Sequence, residues 1–312
     1  MRLATVLWNR KPTLAVALRQ NFLNLPGCVA ALKKARRVTG DLPPDMLELI
    51  AGGASFVRVV QSLIRAAVPR LRDGIWQAKA RDPLLRPMDR VRVLAPIPRP
   101  RKNIFCLGRN YAAHAKERQA EVPTIPVFFT KPPTSVIGHD GRVIHHPMTA
   151  ELDYEVELAV VVGRRGINIP RARAYEYVFG YTILIDVTAR DVQKRHMQWF
   201  KGKGLDTFCP MGPWIVHKSA IPDPHDLNIG LRVNGEIRQA GHTGDMVFKI
   251  PDLIEVLSAG MTLEPGDILA TGTPSGVAAG RDPPRWLKAG DVIEAEIEGI
   301  GVLRNRVADP RS

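Results

Sequence analysis

Glu155-Val-Glu157-Leu-Ala-Val-Val-Val162 reads as a buried β-strand with an acidic head. From Leu158 onward every residue is apolar and three are valines, a short unbroken run that fits a strand covered on both faces. Tyr181-Thr-Ile-Leu-Ile-Asp-Val187 has the same texture, with Asp186 interrupting it. Glu155 and Glu157 lie two apart, so on a strand both carboxylates leave from one face. Ionised groups in such surroundings cost several kcal/mol unless compensated. Glu294, Glu296 and Glu298 show the contrasting pattern, because they alternate with Ile293, Ala295 and Ile297 as on a half-solvated strand. Three buried carboxylates, Glu155, Glu157 and Asp186, therefore call for a cation. No His or Cys stands beside them, and an all-oxygen ligand set suits Mg²⁺, or else Mn²⁺ or Ca²⁺. Structural ion pairs with Arg190 or Lys203 are the competing reading.

Outward from these strands the chain divides by texture. Toward the C-terminus, Asn234-Gly235 between Leu231-Arg-Val and Glu236-Ile-Arg predicts a two-residue hairpin. Pro251 and Asp252 open a helix with Leu253, Ile254 and Leu257 on its apolar face and Gly260 past its end. Toward the N-terminus, a helix is expected from Asp41 through the start signal Pro43-Pro-Asp45 to Gly52-Gly53. A second follows, with Phe56, Val60, Leu63 and Ala67 at helical spacing until Pro69. Between Leu85 and Asn103, four prolines among arginines mark a boundary. The expectation is an α+β protein: a small helical or α+β N-terminal domain over residues 1–100, ending in that Pro/Arg-rich linker, and a mostly β catalytic domain over residues 101–312.

Composition narrows the function classes. The chain has 312 residues, 45% of them apolar, which excludes general disorder and leaves room for a large core. No apolar run approaches the ~20 residues of a membrane helix, and the first 21 residues lack a secretory pattern, so a cytoplasmic protein is expected. Cys28, Cys106 and Cys209 form no C-x-x-C pair, and reduced, buried thiols are expected. His145-His146 is not a metal pair, since neighbours on a strand face opposite ways. Forty-four Lys plus Arg against 31 Asp plus Glu give a net charge of +13. The basic residues are densest at Lys33 to Arg37 and Arg99 to Lys102, are spread elsewhere, and match no nucleic-acid motif. A solvated positive surface is the bland reading, and such a surface is also able to steer anionic substrates toward a cleft.

Five segments carry a resemblance: Gly108-Arg-Asn-Tyr-Ala-Ala-His-Ala-Lys-Glu117, Phe129-Thr-Lys-Pro-Pro133, Leu152-Asp-Tyr-Glu-Val-Glu-Leu-Ala-Val-Val161, Asp186-Val-Thr-Ala-Arg-Asp-Val-Gln193 and Thr271-Gly-Thr-Pro-Ser-Gly276. In this order they resemble the fumarylacetoacetate hydrolase superfamily, acylpyruvases included, over about Arg101 to Val307. The resemblance implies a mixed β-roll catalytic domain and Mg²⁺ on Glu155, Glu157 and Asp186, the triad already singled out. It implies that the ion chelates a 2-oxo acid and polarises its carbonyl so that an enolate can form or leave. His114 and Glu117, which share a helix face at i and i+3, match the family's water-activating pair. Arg190 and Gln193 match its substrate contacts, and Lys203, with Lys201 as the alternative, its active-site lysine. Lys131 and Thr271 are further carry-overs, Thr271 as a donor to a substrate carboxylate, and Arg109 and Tyr111 would shape the pocket entrance.

The expected activity is hydrolysis of a carbon–carbon bond in a β-diketo or 2-oxo acid. Decarboxylation of oxaloacetate, or isomerisation of a 2-hydroxy-diene dioate such as 2-hydroxyhepta-2,4-diene-1,7-dioate, would use the same site. A non-catalytic nucleic-acid-binding protein is the rival from another class. The family resemblance further implies a homodimer.

Overall fold

A computed structural model describes residues 1–34, 42–72 and 84–310. An eleven-stranded mixed sheet runs through the molecule. At its centre the Val156–Val162 strand lies antiparallel between Val178–Ile185 and Ile268–Ala270, and every residue of the first two strands is buried. Ile268–Ala270 pairs in parallel with Ile104–Gly108, which Val127–Lys131 flanks. A second, five-stranded sheet has the order Glu236–His242, Asn228–Val233, Val292–Ile297, Gly301–Ala308, Arg142–Ile144.

The two sheets explain the unbroken apolar run. Val156, Leu158, Val160 and Val162 share a core with Ile229, Leu231, Ile293 and Ala295 of the smaller sheet. Ala159 and Val161 belong to a different core, with Leu49, Ile50, Val57 and Val60 of the N-terminal helices. Alternation along one strand thus serves two apolar layers, and no position is left for a solvated residue. The α+β class, with more of the chain in strands than in helices, follows from this layering.

Local signals act as expected at several places. Asn234 and Gly235 both take positive φ, 52° and 81°, at the tip of the predicted hairpin. The Ile250–Ser258 helix ends before Gly260 at φ 72°. Asp45 caps Met46–Ala51 by accepting the Glu48 N–H at 2.9 Å. Asp41 and residues 35–37 of the basic run lie outside the described residues. The next helix, Gly53–Arg72, continues past Pro69 rather than stopping there; the proline sits in its last turn, where only one intrahelical bond is lost.

The first hundred residues hold more than helices. Arg2–Trp8, Lys11–Leu18 and Asn21–Asn24 form a meander, and Arg2–Trp8 pairs with Cys209–His217 through Arg2↔Val216, extending the main sheet. The proline-rich stretch follows this meander closely, with Leu7 N–H donating to Arg92 O and Leu94 N–H to Thr5 O, both at 2.9 Å. No helix among the described residues is long and apolar enough to cross a membrane.

Candidate active site

The sheet register brings the three carboxylates together. Val156 faces Ile185, and the Asp186 N–H donates to Glu155 O at 2.8 Å, so Glu155 and Asp186 leave adjacent strands at the same end. One oxygen each from Glu155, Glu157 and Asp186 lies within 4.8 Å of the others, and all three residues are buried. Cations surround two of them. Lys203 Nζ donates to Glu155 Oε2 at 2.6 Å and Asp186 Oδ2 at 2.7 Å. Lys131 Nζ donates to the other Asp186 oxygen, to Val187 O and to Lys203 O. Each nitrogen of Arg190 has a partner: Nη2 on Glu155, Nε on Asp153 Oδ2 at 2.8 Å and Nη1 on Gln193 Oε1 at 3.1 Å.

Fully ionised, Asp153, Glu155, Glu157 and Asp186 would carry one negative charge more than Lys131, Arg190 and Lys203 neutralise. Burial alone would raise the Glu155 pKa, but Arg190 and Lys203 overcome it and hold Glu155 well below the carboxylate range. Glu157 goes the other way, pushed up by burial and then by the charges of Asp186 and Glu155; the Gly272 N–H at 2.8 Å offsets little of this. Burial would lower Lys203, yet Asp186 and Glu155 raise it and keep it an ammonium. A buried, oxygen-only donor set with uncompensated negative charge fits a divalent cation, and Glu157 is the member on which no ammonium rests.

Across a cavity of about 230 Å³ stands a histidine dyad. His114 and Glu117 sit on the short Ala112–Glu117 helix with Nδ1 and Oε1 2.7 Å apart. A proton on Nδ1, donated to the carboxylate, leaves Nε2 as the free base. His114 lines the cavity, and its Nε2 lies 4.0 Å from Glu155 Oε1.

Of the other residues predicted from sequence, Arg109 and Gln193 line this cavity. Lys203 is buried and lines the cavity, while Lys201 is exposed and does not. Arg190 lines the cavity, with each of its three nitrogens also bonded to a protein acceptor. Lys131 is wholly buried behind Asp186 and does not line the cavity. Thr271 donates its hydroxyl to Leu158 O at 2.9 Å and lies outside the cavity lining, which holds Thr273. Tyr111 is buried outside the lining, with its hydroxyl unpartnered among the described residues. His145 and His146 bond separate carbonyls, of Thr149 and Asp206, and the three cysteines are free and buried.

Sequence reasoning missed Asp153, Arg118 and Trp199. Asp153 lies two residues before Glu155 on the same alternation, and that spacing is the signal that could have found it. Nothing in the local sequence marks Arg118 or Trp199 as cavity residues.

Residues 103–308 match the fumarylacetoacetate (FAA) hydrolase C-terminal family. The chain belongs to the fumarylacetoacetate hydrolase family. It is 49% identical over 286 residues to oxaloacetate tautomerase YisK of Bacillus subtilis (strain 168), covering 88% of this chain and 91% of that one. Among solved structures of the family, a fumarylacetoacetate hydrolase from Exiguobacterium antarcticum superposes with a TM-score of 0.79 at 37% identity over 99% of both chains. Maleylpyruvate hydrolase from Sphingobium sp. SYK-6, in complex with manganese(II) and pyruvate, gives a TM-score of 0.74 at 30% identity over 99% of both. The chain is thus a fumarylacetoacetate hydrolase family enzyme with a carboxylate cluster suited to a divalent metal.

Proposed function

We propose that this enzyme interconverts the keto and enol forms of a 2-oxo acid of the oxaloacetate type. The observation that carries the reading is one base, His114 Nε2, set beside the carboxylate triad on a cavity lined by cations. The tautomerase name of the Bacillus subtilis relative supports proton transfer over bond cleavage. With Mg²⁺ held by Glu155, Glu157 and Asp186, Lewis-acid polarisation of the 2-oxo group becomes available.

The chain's own residues supply the rest. His114 Nε2 takes a proton from C3, the C–H pair becomes the C2=C3 π bond, and the carbonyl π pair becomes a lone pair on the C2 oxygen. The proton on His114 then passes to that oxygen directly or through water. Glu117 holds the ring orientation and stabilises the imidazolium. Lys203 keeps a positive charge near the oxygen on which negative charge grows.

The test follows enol oxaloacetate by its absorbance with Mg²⁺ present, comparing wild type with His114→Ala while assaying pyruvate. Faster enol decay without pyruvate, lost in the variant, supports the tautomerase. Equal decay with and without enzyme rejects it, and pyruvate release signals decarboxylation instead.

Hydrolysis of a β-diketo acid is a second reading, favoured by the likeness to maleylpyruvate hydrolase. The same dyad would deprotonate water rather than carbon. Acetate plus pyruvate formed from acetylpyruvate would select this reading.

A further inference from the structure

Arg118 differs from the other cations of the cavity in what it leaves unbound. Every nitrogen of Arg190 already has a protein acceptor, on Asp153, Glu155 or Gln193, and Lys203 bridges Glu155 and Asp186. Lys194 is tied to Glu151 at 2.8 Å, and Arg109 is exposed with its guanidinium 5.6 Å from the Trp199 ring centre. Arg118 is half-buried, and among the described residues its side chain makes one hydrogen bond, Nη1 to Ala279 O at 2.8 Å. Among the described residues no carboxylate lies within ion-pair distance of it.

The single bond is a rigid one. Ala278 and Ala279 donate their N–H groups to Asp153 at 2.7 and 3.2 Å, and the same carboxylate holds Arg190. Arg118 is therefore fixed at one nitrogen, with Nε and Nη2 unspent, on the cavity that His114 and Glu155 also line. Burial and the like charge of Arg190 push its pKa down, against the pull of Asp153, Glu155 and Glu117. A half-desolvated guanidinium of this kind is an anion receptor, and its planar fork matches a carboxylate.

We propose that Arg118 receives the distal carboxylate of a 2-oxo dicarboxylate and so makes the enzyme select diacids over monoacids. The inference rests on the 2-oxo-acid reading above and deepens it: the triad end of the cavity takes the 2-oxo acid group, and Arg118 reads the far end.

Calorimetry on the Mg²⁺-loaded full chain, with pyruvate and oxaloacetate as probes, tests this. Arg118→Met should weaken oxaloacetate binding about 10- to 100-fold, the worth of a charge-assisted hydrogen bond, and change pyruvate binding less than about threefold. Arg118→Lys should recover part of the loss, which separates lost charge from a disturbed fold. Equal weakening of both probes in Arg118→Met, or unchanged oxaloacetate binding, overturns the assignment. Wild type that binds oxaloacetate selectively without tautomerising it would sink the proposed activity and leave Arg118's role intact; wild type that binds neither probe sinks both.

Discussion

Gly276 donates its backbone N–H to Glu117 Oε2 at 2.8 Å, while the other oxygen of that carboxylate holds His114 Nδ1 at 2.7 Å. A loop 159 residues further along the chain therefore sets the group that orients the base. The loop needs glycine: Gly276 has φ +103°, and a Cβ there would sit 2.1 Å from Arg238 O. His114→Ala should lower kcat by about 10²–10⁴. Glu117→Ala and Gly276→Ala should lower kcat by less and leave KM nearly unchanged, because both act through the ring's orientation. Steady-state kinetics of the three variants decide this, and a KM effect without a kcat effect in Glu117→Ala would contradict the positioning role.

Glu157 offers a test of the metal centre that does not depend on turnover. Burial and the neighbouring charges of Asp186 and Glu155 disfavour its ionised form without a metal, so Glu157→Gln should leave the metal-free protein as stable as wild type or more so. Adding Mg²⁺ or Mn²⁺ should raise the wild-type Tm, by the equivalent of about 2.7 kcal/mol at a hundredfold excess over Kd, and should not raise that of the variant. Thermal melts with and without chelator measure both effects. An equal metal-induced rise in the two proteins would place the ion elsewhere.

What was legible in the sequence was whatever announces itself locally. Carboxylates inside apolar β-branched runs pointed to the triad, and Asn234-Gly235 and Pro251-Asp252 marked their elements through turn and cap chemistry. The N-terminal strands were not legible, because Arg10, Lys11 and Pro12 break the apolar pattern while the partner strand, Cys209–His217, lies about 200 residues away. Thr271 and Thr273 lie within one motif, and spacing alone does not say which faces the cavity; the Leu158 carbonyl decides it. Arg118 was invisible for the same reason, since its one fixed contact comes from Ala279, 161 residues on.

Asp191 makes stability depend on pH in a predictable direction. Burial would raise its pKa, but the Thr149 hydroxyl at 2.6 Å and the N–H groups of Ala150 and Val192 at 3.0 and 2.8 Å hold it below its ordinary value. A carboxyl depressed on folding contributes stability above its unfolded pKa of about 3.9 and loses it as pH falls through the folded value. Asp191→Asn should thus cost about 1 kcal/mol near neutral pH, after allowance for solvent screening, and progressively less toward pH 3. Urea midpoints of both proteins across that range test it; a constant gap would remove the carboxylate from the explanation.

Asp153 is the strongest structural prediction, because one fully buried carboxylate serves two parts of the site. It accepts Arg190 Nε and the N–H groups of Tyr154, Ala278 and Ala279. An amide of the same shape carries no charge and has only one oxygen, so Asp153→Asn leaves Arg190 buried beside Glu155 alone and loosens the loop that carries Ala279. Breaking a buried pair by removing one partner costs about 3–5 kcal/mol. Arg190→Met should be similarly damaging, whereas the double variant should lose less than the sum, since it removes both uncompensated groups. Urea unfolding of wild type, the two single variants and the double variant gives the coupling energy. A value near zero would mean that Asp153 holds the loop and not the arginine.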